Sequence, residues 1–210
     1  FYGDAGGNLG NRAAGGDDVM SVSSSGAVYA YGDAGSMSGS ARGGNDSLVV
    51  QATLTMNSLI VGDAETMANN TQGGDDTLSV VSVRHLGGRG QITLVGDGQT
   101  MSGAARGGND TLISGNGDDQ MWGDGQIMLK RAVGGDDTFV FDTGLGSTNV
   151  DRITDFTHDL DTISLSQEIF EALAPGELTE SAFKDIGTAG STVDGDDRVL
   201  YDSNTGALYY

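Results

Sequence analysis

The 210-residue chain has no cysteine, one proline, two histidines, and only five glutamates (Glu65, Glu168, Glu171, Glu177, Glu180) among its 30 acidic residues. Each scarcity removes a class of protein. Without cysteine there is no disulfide scaffold, zinc–thiolate centre or iron–sulfur site, and the isolated His85 and His158 do not make a zinc site either. The lack of cysteine is compatible with a secreted protein held by some other kind of cross-link. A single proline beside 36 glycines, with no three-residue period, excludes a collagen-like chain and a Pro-rich linker. No run of about 18 apolar residues is present, so no membrane span is expected, and no charged-then-apolar N-terminal segment reads as a signal peptide. Positive charge is scarce as well, 10 basic residues giving a net charge of −20. That acidity argues against a nucleic-acid partner. Its self-repulsion opposes a compact state unless something positive neutralises it.

What the chain does have is aspartate, 25 of them, set beside glycine in a repeated phrase. A Gly-Asp pair opens it, and about a dozen residues later Gly-Gly, two acidic or amide residues and a β-favouring run close it. The openings are Gly3-Asp4, Gly32-Asp33, Gly62-Asp63, Gly96-Asp97 and Gly123-Asp124. The closings are Gly15-Gly16-Asp17-Asp18, Gly43-Gly44-Asn45-Asp46, Gly73-Gly74-Asp75-Asp76, Gly107-Gly108-Asn109-Asp110 and Gly134-Gly135-Asp136-Asp137. Opening and closing are 12 residues apart in the first copy and 11 in the other four, while successive opening glycines are 29, 30, 34 and 27 residues apart. A fixed period of this size predicts a solenoid, in which each unit buries its apolar side only against its neighbours. Phe1-Tyr2-Gly3-Asp4 matches Ala30-Tyr31-Gly32-Asp33, so the first residues read as the end of a strand within a longer array.

Short runs such as Val19-Met20-Ser21-Val22, Ser47-Leu48-Val49-Val50 and Thr77-Leu78-Ser79-Val80-Val81 follow the closings, and Leu59-Ile60-Val61 and Ile92-Thr93-Leu94-Val95 lead into the openings. They are too short for helices and are bounded by Gly and Asn, which predicts strand, turn, strand, loop in every repeat. Met37, Met67, Met101 and Met128 recur five residues after the opening glycine, with Leu9 six after Gly3, and read as core residues on a short third strand. The longest insertion, Arg84–Gly90, reads as a protruding turn. After Phe141 the texture changes. A short helix is expected over Ser166–Ala174, another helical turn near Thr179–Lys184, and a hairpin around Asn204-Thr205-Gly206. The overall expectation is an all-β parallel β-roll or β-helix solenoid over residues 1–140 with a small α+β capping region over 141–210.

The closing loops carry the chemistry. The second acid is aspartate in all five copies (Asp18, Asp46, Asp76, Asp110, Asp137), while the residue before it alternates between Asp and Asn (Asp17, Asn45, Asp75, Asn109, Asp136). One position wants a carboxylate and the other any side-chain oxygen. Glycine-rich turns expose carbonyls, and aspartate is short enough to fold back on an ion held beside its own backbone, where glutamate would overshoot. Such an all-oxygen donor set suits calcium, a hard cation that accepts flexible geometry. Roughly five to eight Ca²⁺ would offset most of the net charge.

The segment Asn116-Gly117-Asp118-Asp119-Gln120-Met121-Trp122-Gly123-Asp124 closely resembles the glycine- and aspartate-rich nonapeptide of the repeats-in-toxin (RTX) family. Thr138-Phe139-Val140-Phe141, Asp151-Arg152-Ile153-Thr154-Asp155-Phe156 and Arg198-Val199-Leu200-Tyr201-Asp202 look like that family's exit from its roll. The resemblance implies several bound Ca²⁺, with Asp18, Asp46, Asp76, Asp110, Asp119 and Asp137 as side-chain ligands. It also implies carbonyls from loop glycines, of which Gly15, Gly43, Gly73, Gly107 and Gly134 are the candidates. Asn116 and Asp118 belong to the same pattern. The chain departs from it in replacing the family's short two-nonapeptide coil with a long Met-containing loop, so the opening Asp33, Asp63, Asp97 and Asp124 are candidates to complete the sites. The resemblance further implies an extracellular or cell-surface protein of a Gram-negative bacterium, exported through type I secretion machinery. The function expected is a non-catalytic, calcium-stabilised module supporting export, folding and display of a larger protein. No His-Glu-x-x-His or nucleophile–base pattern points to an enzyme. Alternatives are a self-associating or adhesive surface subunit, or the accessory domain of a secreted hydrolase or epimerase.

Overall fold

The computed structural model describes residues 1–52, 57–81 and 91–210. Strands form three at a time, once per repeat. The first triad is β1 (Ala5–Leu9), β2 (Val19–Ser24) and β3 (Tyr29–Tyr31), and the second is β4 (Ala34–Met37), β5 (Ser47–Ala52) and β6 (Ser58–Val61). The third is β7 (Ala64–Asn69), β8 (Thr77–Val81) and β9 (Ile92–Val95), and the fourth β10 (Gly98–Gly103), β11 (Thr111–Ile113) and β12 (Gln120–Trp122). The fifth is β13 (Ile127–Met128), β14 (Thr138–Phe141) and β15 (Arg152–Ile153), after which β16 (Thr162–Leu165) follows. Corresponding strands pair side by side into three parallel sheets, β1-β4-β7-β10-β13, β2-β5-β8-β11-β14-β16 and β3-β6-β9-β12-β15. The result is the expected parallel β-solenoid, with four turns separating the five strands of the first sheet.

Register follows the sequence period. Ala34 pairs with Ala64, Ser47 with Thr77, and Thr111 with both Thr77 and Thr138, so equivalent residues of the repeats stack. The one-residue excess of the first copy becomes a bulge. Ala5 pairs with Ala34 but Asn8 with Ser36, so one extra residue is taken up between Ala5 and Asn8 before Leu9 comes level with Met37.

Alternation within strands sends Leu48, Leu78, Leu112 and Phe139 inward in one column, and these join Val50, Val80, Ile60, Ile92, Leu94 and Met121 in the larger core. The extra strand expected in the long loop is the first of each triad and does carry the methionines, but Met128, expected in the core, is exposed on β13 at the end of the first sheet. Met37, Met67 and Met101 stack in register and, with Ala34, Ala64, Ala41 and Ala105, fill a second core. Alanine and methionine suit the confined space between the first sheet and the closing loops, since one is small and the other bends to fit.

Contacts divide the chain into Phe1–Ser164 and Leu165–Tyr210, so residues 141–164, placed by sequence in the capping region, contribute β15 and most of β16 to the stacked coils. The second unit is not α+β as expected. Ser166–Ala174 forms successive turns instead of a helix. The Ile169 and Phe170 amides donate to Ser166, but Ala172 donates to the Tyr210 hydroxyl at 2.7 Å, and Pro175 disfavours helical geometry in the residue before it. The helical turn expected near Thr179 is a 3₁₀ turn, Glu180–Ala182, leading into β17 (Phe183–Asp185). β17 pairs with β18 (Val199–Asp202), and β18 forms the expected hairpin with β19 (Ala207–Tyr209). The Arg84–Gly90 turn lies outside the described residues.

Candidate metal seam

Each repeat places two aspartates against the same glycine-lined backbone. The opening aspartate sits two residues after a strand of the third sheet, and its carboxylate accepts from the second glycine of its own closing loop. The Gly44 amide donates to Asp33 at 3.1 Å, Gly74 to Asp63 at 3.0 Å, Gly108 to Asp97 at 2.7 Å and Gly135 to Asp124 at 2.6 Å. This fixed clip explains why the 11-residue spacing is kept while the turn elsewhere in the coil varies.

The closing aspartates form a ladder between coils. Oδ1 of Asp46 accepts from the Asp18 amide, Asp76 from Asp46 and Asp110 from Asp76, each at 2.7 Å, and Asp137 from Asp110 at 2.9 Å. The variable position forms a second ladder running the other way. Asp17 accepts from the Asn45 amide, Asn45 from Asp75, Asp75 from Asn109 and Asn109 from Asp136. Only one oxygen is needed there and the positions are exposed, so amide and acid both serve. Their alternation keeps like charges from stacking on adjacent coils.

The buried ladder differs in one respect. In Asp18, Asp46, Asp76, Asp110 and Asp137 the second oxygen, Oδ2, is buried and has no hydrogen-bond partner, and the same holds for Oδ2 of Asp63 and Asp97. Those oxygens face other acceptors. A Cβ placed on Gly32 would lie 2.0 Å from Asp46 Oδ2 and 1.9 Å from the Gly62 carbonyl oxygen, and one on Gly62 would lie 2.0 Å from Asp76 Oδ2 and 1.8 Å from the Gly96 carbonyl. One on Gly96 would meet Asp110 Oδ2 at 2.1 Å and the Gly123 carbonyl at 1.8 Å. Beside the first glycine of the closing pair, opening carboxylates meet instead. The Gly43 position is flanked by Asp33 and Asp63, Gly73 by Asp63 and Asp97, and Gly107 by Asp97 and Asp124. Gly134 abuts Asp124, and Gly15 abuts Asp4 and Asp33.

Burial, and after it mainly the neighbouring carboxylates, raises the pKa of eight of these carboxyls. Asp33 is pushed up to about 7, Asp46 and Asp124 to about 6 and Asp137 to about 8. Asp63, Asp76, Asp97 and Asp110 lie well above the usual carboxylate range, with desolvation the largest cause in each. Among the described residues no basic side chain offsets this. Among the described residues the ion pairs are Lys184–Asp197 at 3.8 Å and His158–Asp159 at 3.0 Å, neither of them in the seam. Nor, among the described residues, do three His, Cys, Asp or Glu side chains converge into a compact metal cluster. The oxygens lie in rows, so an ion here would draw carboxylates from successive coils together with glycine carbonyls.

Asn116, Asp118 and Asp119 occupy a different corner, ahead of β12. Asp118 accepts from Val150 at 2.9 Å and buried Asp119 from Ile92 at 3.0 Å, while the Asp119 amide donates to Asp151. Three acids that the repeat phrase does not flag extend the pattern. Asp161 accepts from the Asp137 amide at 3.0 Å, continuing the closing ladder, and Asp155 accepts from the Gly123 and Asp124 amides. Asp151 does the same at the other corner. Asp161 was legible in the Asp-Thr-apolar signature it shares with Asp76, Asp110 and Asp137; Asp151 and Asp155 follow no glycine pair and carried no such signal.

With no cation, these raised pKa values fix a pH dependence. A carboxyl protonated in the folded chain but ionised in the unfolded one favours folding below its unfolded value near 4, and that contribution is lost as pH rises through its folded value. On this account metal-stripped protein is expected to lose stability steadily as pH rises from about 4 through about 6 to 8. Thermal melts of metal-stripped samples across that range check it, and a melting temperature that rises with pH contradicts it.

A scan against protein-family models, a search of curated proteins and a search of solved structures each found no match to this chain.

Proposed function

We propose that this chain is a non-catalytic, calcium-binding β-solenoid module of the RTX type, whose coils are completed by cations lodged in the aspartate seam. The observation that carries the reading is the repeated confrontation of a buried, donorless carboxylate oxygen with a carbonyl oxygen, at Asp46 and Gly62, Asp76 and Gly96, and Asp110 and Gly123. Two acceptors facing each other away from water need a proton or a cation between them. The donor set is entirely oxygen, carboxylate and carbonyl, drawn from successive coils. Calcium accepts that arrangement, whereas magnesium demands near-octahedral geometry and keeps its water. The residues that would hold it are Asp18, Asp46, Asp76, Asp110 and Asp137, with the opening Asp33, Asp63, Asp97 and Asp124 and the opening-glycine carbonyls. The ion's contribution would be positive charge and oxygen coordination, not reaction chemistry.

Because the unfolded chain has no preformed site, binding energy becomes folding energy. Repulsion would keep the chain loose where calcium is scarce, and mass action would lock it where calcium is abundant. That switch suits export in an unfolded state through type I secretion machinery, followed by folding at the cell surface or in the medium of a Gram-negative bacterium. The module's task in this reading is to support export, stability and display of a larger protein. Equilibrium dialysis tests the metal: several calcium ions are expected to bind per chain in the presence of excess magnesium, and an absence of saturable calcium binding contradicts the proposal.

A further inference from the structure

Bases are few in this chain, yet five of the ten lie along one corner of the solenoid. Between the first sheet and the closing loops, Ala14, Arg42, Gln72, Arg106 and Val133 stack through parallel bridges, one per coil. In the turn just ahead of them lie Arg12, Lys130 and Arg131, beside a column of left-handed residues that includes Asn11, Asn69 and Lys130. Arg12, Arg42, Arg106, Lys130 and Arg131 are all exposed. The five stacked segments, residues 10–14, 38–42, 68–72, 102–106 and 129–133, contain no acidic residue, in a chain with 30 acids. Apart from Arg42, which donates to the Gln72 side-chain oxygen, these bases make no side-chain hydrogen bond or ion pair among the described residues.

Across the Gly-Gly turn, three residues further along each coil, runs the exposed ladder whose acids are Asp17, Asp75 and Asp136. Both columns span the same five coils and repeat at the same rise, one coil being one strand spacing of about 4.8 Å. They are also staggered. The arginines Arg42 and Arg106 fall on the coils that carry Asn45 and Asn109, and the aspartates fall on the coils between.

We infer that this edge is a self-association surface, in which the basic column of one copy lies along the acidic column of a second copy. A linear polyanion would be matched by the bases alone. The commensurate acidic ladder and its one-coil stagger fit a partner with the same coil rise, which a second copy of this chain has. A two-fold axis parallel to the solenoid axis sets each basic column against the other copy's acidic column, using both columns twice and closing the pair. Arg42 then comes level with the gap between Asp17 and Asp75 of the second copy, and Arg106 with the gap between Asp75 and Asp136. Exposed ion pairs are individually weak and screened by salt, so the pairing is expected to be salt-sensitive.

Sedimentation velocity tests it, with circular dichroism recorded on the same samples so that loss of coils is told apart from loss of pairing. In calcium at low ionic strength the chain is expected to sediment at twice its 21.4 kDa mass, and at 1 M salt as a monomer. Two variants borrow residues the chain already uses at equivalent positions: R42Q/R106Q, as at Gln72, and D17N/D75N/D136N, as at Asn45 and Asn109. Each should keep the coils and be monomeric at low salt. A folded wild type that is monomeric at every salt concentration overturns the inference, and so does a dimer that survives both variants. A monomeric wild type that binds a sulfated polysaccharide through Arg42 and Arg106 would likewise overturn it, and would assign the edge to a polyanion.

Discussion

Gly96→Ala is expected to cost more than about 4 kcal/mol, a large part of the stability of an ordinary domain. A methyl at that position meets the Gly123 carbonyl oxygen at 1.8 Å and the Asp110 carboxylate at 2.1 Å, and the first of these is backbone held in the parallel ladder. The Gly96 amide itself donates to the Trp122 carbonyl at 2.9 Å, so this stretch cannot retreat without breaking the stacking of the fourth coil on the third. The requirement is close approach, not unusual torsion, since Gly96 is not among the glycines with positive φ. Gly26→Ala is the control. Nothing lies within 4 Å of a Cβ there, so its effect should stay within about 0.5 kcal/mol. Urea denaturation in saturating calcium measures both. Equal effects at the two positions would mean that glycine serves only as a turn former in the repeat.

The double variant D76N/D110N is expected to do the opposite in the absence of metal. Asparagine keeps an oxygen for the Asp46 and Asp76 amides, which donate to these side chains at 2.7 Å, and replaces the donorless oxygen with an N–H group facing the Gly96 and Gly123 carbonyls. Two buried negative charges disappear and two acceptor–acceptor confrontations become hydrogen bonds. Because an uncompensated buried charge costs roughly 3 to 5 kcal/mol, the metal-free variant at pH 8 should be more stable than metal-free wild type by at least about 3 kcal/mol. In exchange it should bind fewer calcium ions, and more weakly by roughly tenfold or more, a change of about 1.4 kcal/mol. Calorimetric titration and metal-free melts read the two effects separately. A variant less stable than wild type without metal, or one that binds as many ions as tightly, contradicts a charged, cation-lined seam.

Much of this was written in the spacing. Opening glycines 29, 30, 34 and 27 residues apart set the length of each coil, and even the 12-for-11 irregularity of the first copy has a counterpart, the bulge between Ala5 and Asn8. Met37, Met67 and Met101 were legible as core for a simple reason: a side chain at a fixed offset in a stacked repeat must meet its own copies; Met128 stacks on Met101 but lies on the last strand of the first sheet and is exposed. The contrast between Asp18-type and Asp17-type positions also survives, as a buried ladder with one idle oxygen beside an exposed one. What spacing did not carry was direction. That the opening carboxylates clip back to Gly44, Gly74, Gly108 and Gly135 within their own coils, while the closing ones reach the preceding coil, depends on three-dimensional closure. Outside the period the sequence was a weaker guide. Ser166–Ala174 has helix-like apolar spacing, but nine residues with a proline directly after them nucleate a helix poorly, and the Ala172 amide goes to Tyr210.

In the proposed reading cations, not the polypeptide alone, hold the coils together at neutral and alkaline pH. Far-ultraviolet circular dichroism of the chain at pH 8, in millimolar calcium and then in excess EGTA, tests it most directly. The β-sheet signal should be present with calcium, largely vanish on chelation and return when calcium is restored; an unchanged β spectrum in EGTA would contradict it.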